Sequence, residues 1–261
     1  VFESILDEIA EKLDIDPWEL RLRNALSADK PTIYGAKIGE AGIQECIDSV
    51  RNHPNAKIEL GPNQGRGIAI GYWGNAGGES SSQLYINEDG SAVIITGHPD
   101  IGGSRASMVN IVAEKLGIDY RHVKAQIGDT NTVGISAVTG GSRVTFAAGI
   151  VVNEATDQVI NILKARAAGI WGIDADAVEW RDGAAHPASP NAGEFEPLTL
   201  PELAAKAVAT GGPIMAAVSK TTTGHMGVVG AHMVDIEIDS ETGQVKILRY
   251  TASQDVGRAI H

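Results

Sequence analysis

Two glycine turns, each set between a strand and a helix, constrain this chain more than any other feature. Both fall within Ala92–Thr145. Ala92–Thr96 (AVIIT) is a short apolar, β-branched run that predicts a strand. Gly102 and Gly103 follow, directly ahead of Ala106–Leu116, where Met108, Ile111, Val112 and Leu116 recur at helical spacing and Gly117 supplies a stop. His122–Ile127 predicts a second strand. The polar loop Gly128–Val138 then runs into Thr139-Gly140-Gly141-Ser142-Arg143, ahead of a long helical pattern that starts near Thr145.

Gly-Gly-Ser-Arg therefore occurs twice, at Gly102–Arg105 and at Gly140–Arg143, each time at a predicted helix N-terminus. The first turn of a helix presents unpaired N–H groups and about half a positive charge. Glycine admits a ligand to the backbone, serine caps or donates, and arginine adds a charge suited to phosphate. The placement fits an anion-binding cradle for a phosphorylated cofactor. It also fits two ordinary capped turns with Arg105 and Arg143 in solvent. Neither turn matches G-x-G-x-x-G or the Walker A pattern, so NAD and ATP are not indicated.

The rest of the chain bounds these readings. At 261 residues it makes one large domain or two small ones, with enough apolar content (43%) to bury a core. A net charge of −12 argues against a nucleic-acid or anionic-membrane partner, so a phosphorylated ligand would be held by local features. The single cysteine, Cys46, excludes an internal disulfide and a cysteine-ligated iron–sulfur cluster, and packing in a helix suits it. No apolar run reaches about 18 residues, so no membrane span is expected. Nor is a signal peptide present, and the expected location is cytoplasmic. The first residue is not methionine, and both ends look cut, as in a piece of a longer polypeptide.

In chain order, Val1–Leu13 predicts an amphipathic helix with Phe2, Ile5, Leu6, Ile9 and Leu13 on one face. Asp16-Pro17 caps a second helix that ends near Asn24. Ser27–Gly42 is turn-rich, Ile43–Val50 is a short helix, and Asn52–Gln64 is a connector. Gly65–Asn75 and Ser81–Asn87 predict strands, with a turn at Asn87–Gly90. Gly74–Ser82 reads as a surface loop that could face a ligand. One long helix is expected to run to about Ala168, followed by a small hairpin around Asp182-Gly183, a helix over Glu202–Ala209 and a strand over Ile214–Thr222. The last hairpin pairs Ala231–Ile238 with Gln244–Ala252. Mixed strands and helices of this kind point to an α+β fold of mixed sheets with helices packed on them.

The chemistry-bearing residues are sparse. Ser104 and Ser142 lie outside any G-x-S-x-G elbow. The seven histidines are scattered, and none has metal-ligand spacing to another His or Cys. Asp100 and Asp129 flank the two glycine turns, where each can accept bonds from a ligand or cap a turn.

In order and spacing these motifs resemble the molybdenum-binding large subunit of the xanthine oxidase, aldehyde oxidoreductase and carbon monoxide dehydrogenase family. Asp16-Pro17 with Arg21–Asn24 is similar to that family's early helical segment. Asp100-Ile101-Gly102-Gly103-Ser104 resembles its D/E-I/M-G-Q-G turn, Gly128-Asp129-Thr130 its G-D-T, and Thr139–Thr145 its second pterin loop. Gly230–Asp239, Thr242–Val245 and Asp255-Val256-Gly257 resemble its late hairpin and the D-x-G beyond it.

The resemblance implies two α/β layers of a molybdopterin-binding domain, with 1–60 as the helical end of a preceding domain plus connector and 61–261 as a second, truncated one. It implies molybdopterin, as the cytosine dinucleotide in bacterial members, and hydroxylation of an aldehyde, a purine or an N-heterocycle, or oxidation of carbon monoxide. Electrons would pass to partner subunits or domains carrying 2Fe-2S and FAD, within a homo-oligomeric complex completed by the remaining part of the molybdenum subunit. Carried across, Ile101, Gly102, Gly103, Ser104 and Arg105 line the cofactor with Asp129 and Thr130. Thr139, Gly140, Gly141, Ser142 and Arg143 form the second loop, Gly141 nearest the metal. No protein ligand to the metal is implied. Two departures stand out: the family's glutamine is Gly103 here, and its general-base glutamate is expected beyond His261, so no catalytic residue is assigned. The alternative is a non-catalytic cofactor-carrying or assembly module.

Overall fold

The computed structural model describes residues 1–25, 27, 31–32, 35 and 41–260, without the side chains of residues 225 and 226. Most of the turn-rich Ser27–Gly42 stretch lies outside them. Among the described residues the elements run α1 (Phe2–Leu13), α2 (Pro17–Arg23), α3 (Ile43–Arg51), β1 (Gln64–Asn75), β2 (Gly78–Ile86), β3 (Ala92–Thr96), α4 (Ser104–Leu116) and β4 (Val123–Ile127). Next come a π-turn (Val144–Ala148), α5 (Gly149–Trp171), β5 (Val178–Arg181), β6 (Ala184–Pro187), β7 (Leu198–Thr199), α6 (Leu200–Ala205), β8 (Ile214–Thr222), β9 (His225–Ile238) and β10 (Val245–Asp255). The class is α+β, with helices packed on mixed sheets, as the patterning predicts.

The chain forms two compact units. The first joins Val1–Gly74 to His225–Ala259. Its sheet has the order β1-β9-β10, and α3 lies against β9 and β10. Trp18, Ile43, Cys46, Ile47 and Val50 meet Val229, Ala231 and Met233 in one core. Cys46 is buried there, a packing residue as its helical position implies. Three arginines of this unit are structural. Arg21 is buried and donates to Glu3 from Nε at 2.9 Å. Arg66 and Arg249 both donate to the buried Asp235, at 2.7 and 2.8 Å, and the bond from Arg66 is the first reason the Asp235 carboxyl lies below its ordinary value.

Asn75–Gly224 makes the second unit. Its main sheet has the order β4-β3-β2-β8, in which β3 and β4 are parallel and the other pairs antiparallel. The crossover from β3 to β4 is α4, which packs beside α5. Leu84, Ile94, Met108, Val112, Leu116, Val151, Ala155, Val159 and Leu163 are buried in the shared core of sheet and helices. A small sheet, β5-β6-β7, completes the unit. Its tight turn places Asp182 (φ 51°) and Gly183 (φ 75°) in the left-handed region, which suits the twist of a two-residue hairpin.

Several boundaries differ from expectation. The Gly74–Ser82 loop is for the most part a strand: β2 begins at Gly78, and Ser80, Ser81 and Ser82 are buried. Central strands are covered on both faces, so small polar residues occur there without the alternation that marks a half-exposed strand. Helix α4 starts at Ser104, two residues earlier than its apolar spacing shows. Helix α6 spans Leu200–Ala205 rather than Glu202–Ala209, because Thr199 and Glu202 form a capping box that sets its start.

Candidate functional site: the carboxyl ends of the parallel strands

In open sheets with parallel strands, ligands bind where the carboxyl ends of the strands and the helix N-termini converge. Here those ends are Thr96 of β3 and Ile127 of β4, and both glycine bends emerge beyond them.

The first bend runs from Gly97 to Arg105. Gly102 (φ +59°) and Gly103 (φ +87°) occupy the left-handed region, where a Cβ would be strained although none of its neighbours would obstruct it within 4 Å. Both glycines and Ile101 are exposed, so the backbone is open to an approaching molecule. The Asp100 carboxylate accepts the Arg105 N–H at 3.0 Å and faces the Arg105 guanidinium at 3.4 Å. The backbone bond is the main reason its carboxyl lies below the usual carboxylate range, and the Arg105 charge adds to it. The buried Ser104 hydroxyl accepts from Ile101 N–H at 3.1 Å, closing the turn on itself.

After β4, the loop Gly128–Val138 folds back on the strand ends. A Cβ on Gly128 would lie 2.0 Å from Val133 Cγ1, and one on Gly97 would lie 2.8 Å from Ser136 Oγ. Asp129 caps this loop: its carboxylate accepts from Asn131 N–H at 2.8 Å and its carbonyl from Thr132 N–H at 3.0 Å. Thr130 beside it is exposed.

Thr139 and Gly140 open the second bend, and a Cβ on Gly140 would meet nothing within 4 Å. Gly141 (φ +62°) is tighter: its carbonyl accepts from Ala76 N–H at 2.8 Å, and a Cβ would meet Ala76 Cβ at 2.7 Å. Ser142 holds φ 56°, an uncommon value for a residue with a side chain. The π-turn follows at once, a feature that recurs at functional sites.

Arg143 departs from both readings of the sequence. It is neither solvated nor aimed outward, being 2% exposed. Its guanidinium donates to the carbonyls of Gly77 (2.7 Å), Ala137 (3.0 Å) and Glu79 (2.6 Å) and to Ser80 Oγ (2.9 Å). The fork of donors fills a ring of main-chain acceptors and holds the bend to the start of β2. Arg105, its counterpart in the first bend, has a half-exposed side chain.

Ser80 and His98 carry no signal as a sequence motif, yet they join the two bends. Ser80 Oγ lies 3.2 Å from His98 Nε2 and receives the bond from Arg143. The antiparallel register shows why: Ser82 pairs with Thr96, and Ser80, two residues earlier on β2, meets His98, two residues past the end of β3. Burial, and then the Arg143 charge, hold the His98 imidazole below its ordinary pKa. Among the described residues no group of three His, Cys, Asp or Glu side chains could hold a metal ion.

Comparison with known proteins shows which family and fold this chain shares. The molybdopterin cofactor-binding domain family model matches residues 47–261. The molybdenum-binding subunit PaoC of an Escherichia coli aldehyde oxidoreductase is 25% identical over 99% of this chain and 35% of its own length. A putative xanthine dehydrogenase molybdenum-binding subunit, XdhA of E. coli, is 28% identical over 99% of this chain and 37% of its length. The chain thus spans about a third of the curated relatives it matches. The fold matches CO dehydrogenase from Oligotropha carboxidovorans with a TM-score of 0.82 at 21% identity, covering 99% of this chain and 36% of that one. Quinoline 2-oxidoreductase from Pseudomonas putida gives a TM-score of 0.80 at 20% identity, over 96% and 36%. With the family model covering most of its length, the chain belongs to the molybdopterin cofactor-binding domain family.

Proposed function

We propose that this chain is part of a molybdenum hydroxylase, in which its two glycine bends hold molybdopterin, as the cytosine dinucleotide. The observation that carries the reading is the shared edge: both bends lie beyond the parallel strands and are tied to each other by Arg143, Ser80 and His98. The residues present fit such a group. Open glycine backbone at Gly102, Gly103 and Gly140 offers main-chain contact without side-chain obstruction, as a flat pterin and a pyrophosphate require. When bound, the cofactor supplies the molybdenum centre at which the substrate carbon is hydroxylated.

On this reading the chain's own residues bind and orient. Ile101, Gly102 and Gly103 line one side, with Ser104 closing the turn beneath them and Arg105 at its rim. Asp129 and Thr130 shape the intervening loop, and Thr139, Gly140, Gly141 and Ser142 line the other side. Arg143 acts from beneath the bend, since its hydrogen bonds go to the chain itself. The proposal extends to an aldehyde, purine or N-heterocycle as substrate, to 2Fe-2S and FAD partners that take the electrons, to a homo-oligomeric complex and to a cytoplasmic location. It includes the division into a preceding domain's helical end, 1–60, and a second molybdopterin-binding domain, 61–261.

The test uses the complete reading frame that carries this chain, expressed in a host that makes the cofactor. Molybdenum, the fluorescent oxidation product of the pterin, and CMP released by acid are each expected in stoichiometric amount. Protein that carries neither molybdenum nor pterin would overturn the proposal, and AMP or GMP in place of CMP would overturn the cytosine form. Turnover of aldehydes, purines and N-heterocycles with a dye acceptor then separates the substrate classes.

A further inference from the structure

Ser80, Ser82 and Thr96 share one face of the sheet, because Ser82 pairs with Thr96 and side chains alternate along each strand, and His98, just past the end of β3, meets Ser80 there. It is the face that α4 and α5 cover, where Leu84 and Ile94 are buried. His98 is 5% exposed and Ser80 fully buried, so no solvent competes for their bonds.

Proton counting gives the chain of bonds a direction. A hydroxyl carries one proton and two acceptor sites. Arg143 Nη2 donates to Ser80 Oγ at 2.9 Å and takes one acceptor site. Among the described residues His98 Nε2, at 3.2 Å, is the acceptor left for the Ser80 proton. The order Arg143 to Ser80 to His98 follows, with Nε2 accepting and the imidazole proton on Nδ1, a buried atom that has no hydrogen-bond partner among the described residues. A protonated His98 would place two cations on one hydroxyl. Burial and the Arg143 charge act on the imidazole in the same direction.

Each end of this chain belongs to a different bend. His98 opens the segment that carries Gly102 and Gly103, and Arg143 closes the one that carries Gly140 and Gly141. Arg143 also holds Gly77 and Glu79, on either side of the point where β2 begins. Neither bend can shift without stretching bonds that the other needs.

We propose that His98, through Ser80 and Arg143, is a positioning residue that couples the two glycine bends, so that an anionic ligand meets them as a single cradle. This rests on the reading of the bends as the molybdopterin site. The experiment is a mutant cycle on the full-length protein, with the half-time of pterin loss after dilution as its readout. Gly103→Ala and Gly140→Ala each perturb one bend. In the wild-type background their combined effect should differ from the product of the single effects by about fivefold or more. In a Ser80→Ala background the two effects should multiply independently, and Ser80→Thr, which keeps the hydroxyl, should restore the coupling. His98→Phe keeps a ring without the acceptor and should behave as Ser80→Ala, which covers the case in which Ser80→Ala fails to fold. General loosening of the fold would speed pterin loss but would leave the coupling in place. Coupling that persists without the hydroxyl or the imidazole overturns the inference, as do bends that act independently in the wild type. A wild-type protein with no pterin at all overturns the proposed function and this inference with it.

Discussion

Arg143→Met tests whether the buried guanidinium is a scaffold. The substitution keeps a flexible apolar stem and removes four donated bonds, three of them to main-chain carbonyls. A hydrogen bond to a charged group contributes about 1.5–3 kcal/mol, and a buried polar group left alone costs about 1–3 kcal/mol. The four losses do not add in full, since the loop can relax and water can reach some of the freed carbonyls. Breaking a buried charged network costs about 3–5 kcal/mol. At about 2–4 °C per kcal/mol for a chain of this size, melting should fall by about 10 °C. Differential scanning calorimetry of the full chain measures this, with Arg105→Met as the control. Arg105 occupies the same place in its Gly-Gly-Ser-Arg but has a half-exposed side chain, so its loss should move melting by no more than about 2 °C. Arg143→Lys should fall between the two, because a lysine cannot serve four acceptors with a planar fork. Equal melting of Arg143→Met and Arg105→Met would refute the scaffold argument.

Three further outcomes follow from the geometry. Gly117 and Gly172 end helices with the same backbone angles (φ 71°, ψ 35°), but a Cβ on Gly117 would lie 2.5 Å from Gly183 N while one on Gly172 meets nothing within 4 Å. Gly172→Ala should cost only the left-handed strain, about 1–2 kcal/mol, and Gly117→Ala clearly more, read from urea midpoints; equal values would refute the contact. Asp235 has its carboxyl pulled down first by the Arg66 bond, so the stability it lends is present above the ordinary carboxylate pKa and is lost as pH falls through its lower folded value; Asp235→Asn should lower stability at pH 7 and flatten the acid slope of a melting-versus-pH series, and an unchanged slope would count against it. This chain expressed alone should retain little or no molybdopterin, since it spans about a third of its relatives; tight stoichiometric cofactor in it would contradict a site shared with the rest of the subunit.

What was legible in the sequence was local. Asp16 caps α2 by accepting Glu19 N–H at 2.9 Å, as Asp-Pro before a helix implies. Alternation over Ala231–Ile238 marked the later part of β9, the Asp239–Gly243 turn marked its pairing with β10, and Asp182-Gly183 marked its hairpin. What escaped is set by tertiary neighbours. Gly78–Ser80 read only as loop because glycine and glutamate are depleted in strands, yet the pairing with β8 carries the strand through them. The two Gly-Gly-Ser-Arg motifs are identical in letters, but only Arg143 has a ring of carbonyls within reach, so one arginine turns inward and the other stays at the surface. Ser80 and His98 are 18 residues apart and form no motif; the β2–β3 pairing and the turn beyond it bring them together.

The π-turn at Val144–Ala148 has a consequence for how this family can vary. A turn closed by i to i+5 bonds holds one residue more than an α-turn needs. Deleting a single residue there would let the helix close normally, yet would swing everything before it by about 100° around the axis. Arg143 would then point away from Gly77, Ala137 and Glu79. The surplus residue acts as the shim that aims the guanidinium, so length in this turn should be held more strictly than the identity of its side chains.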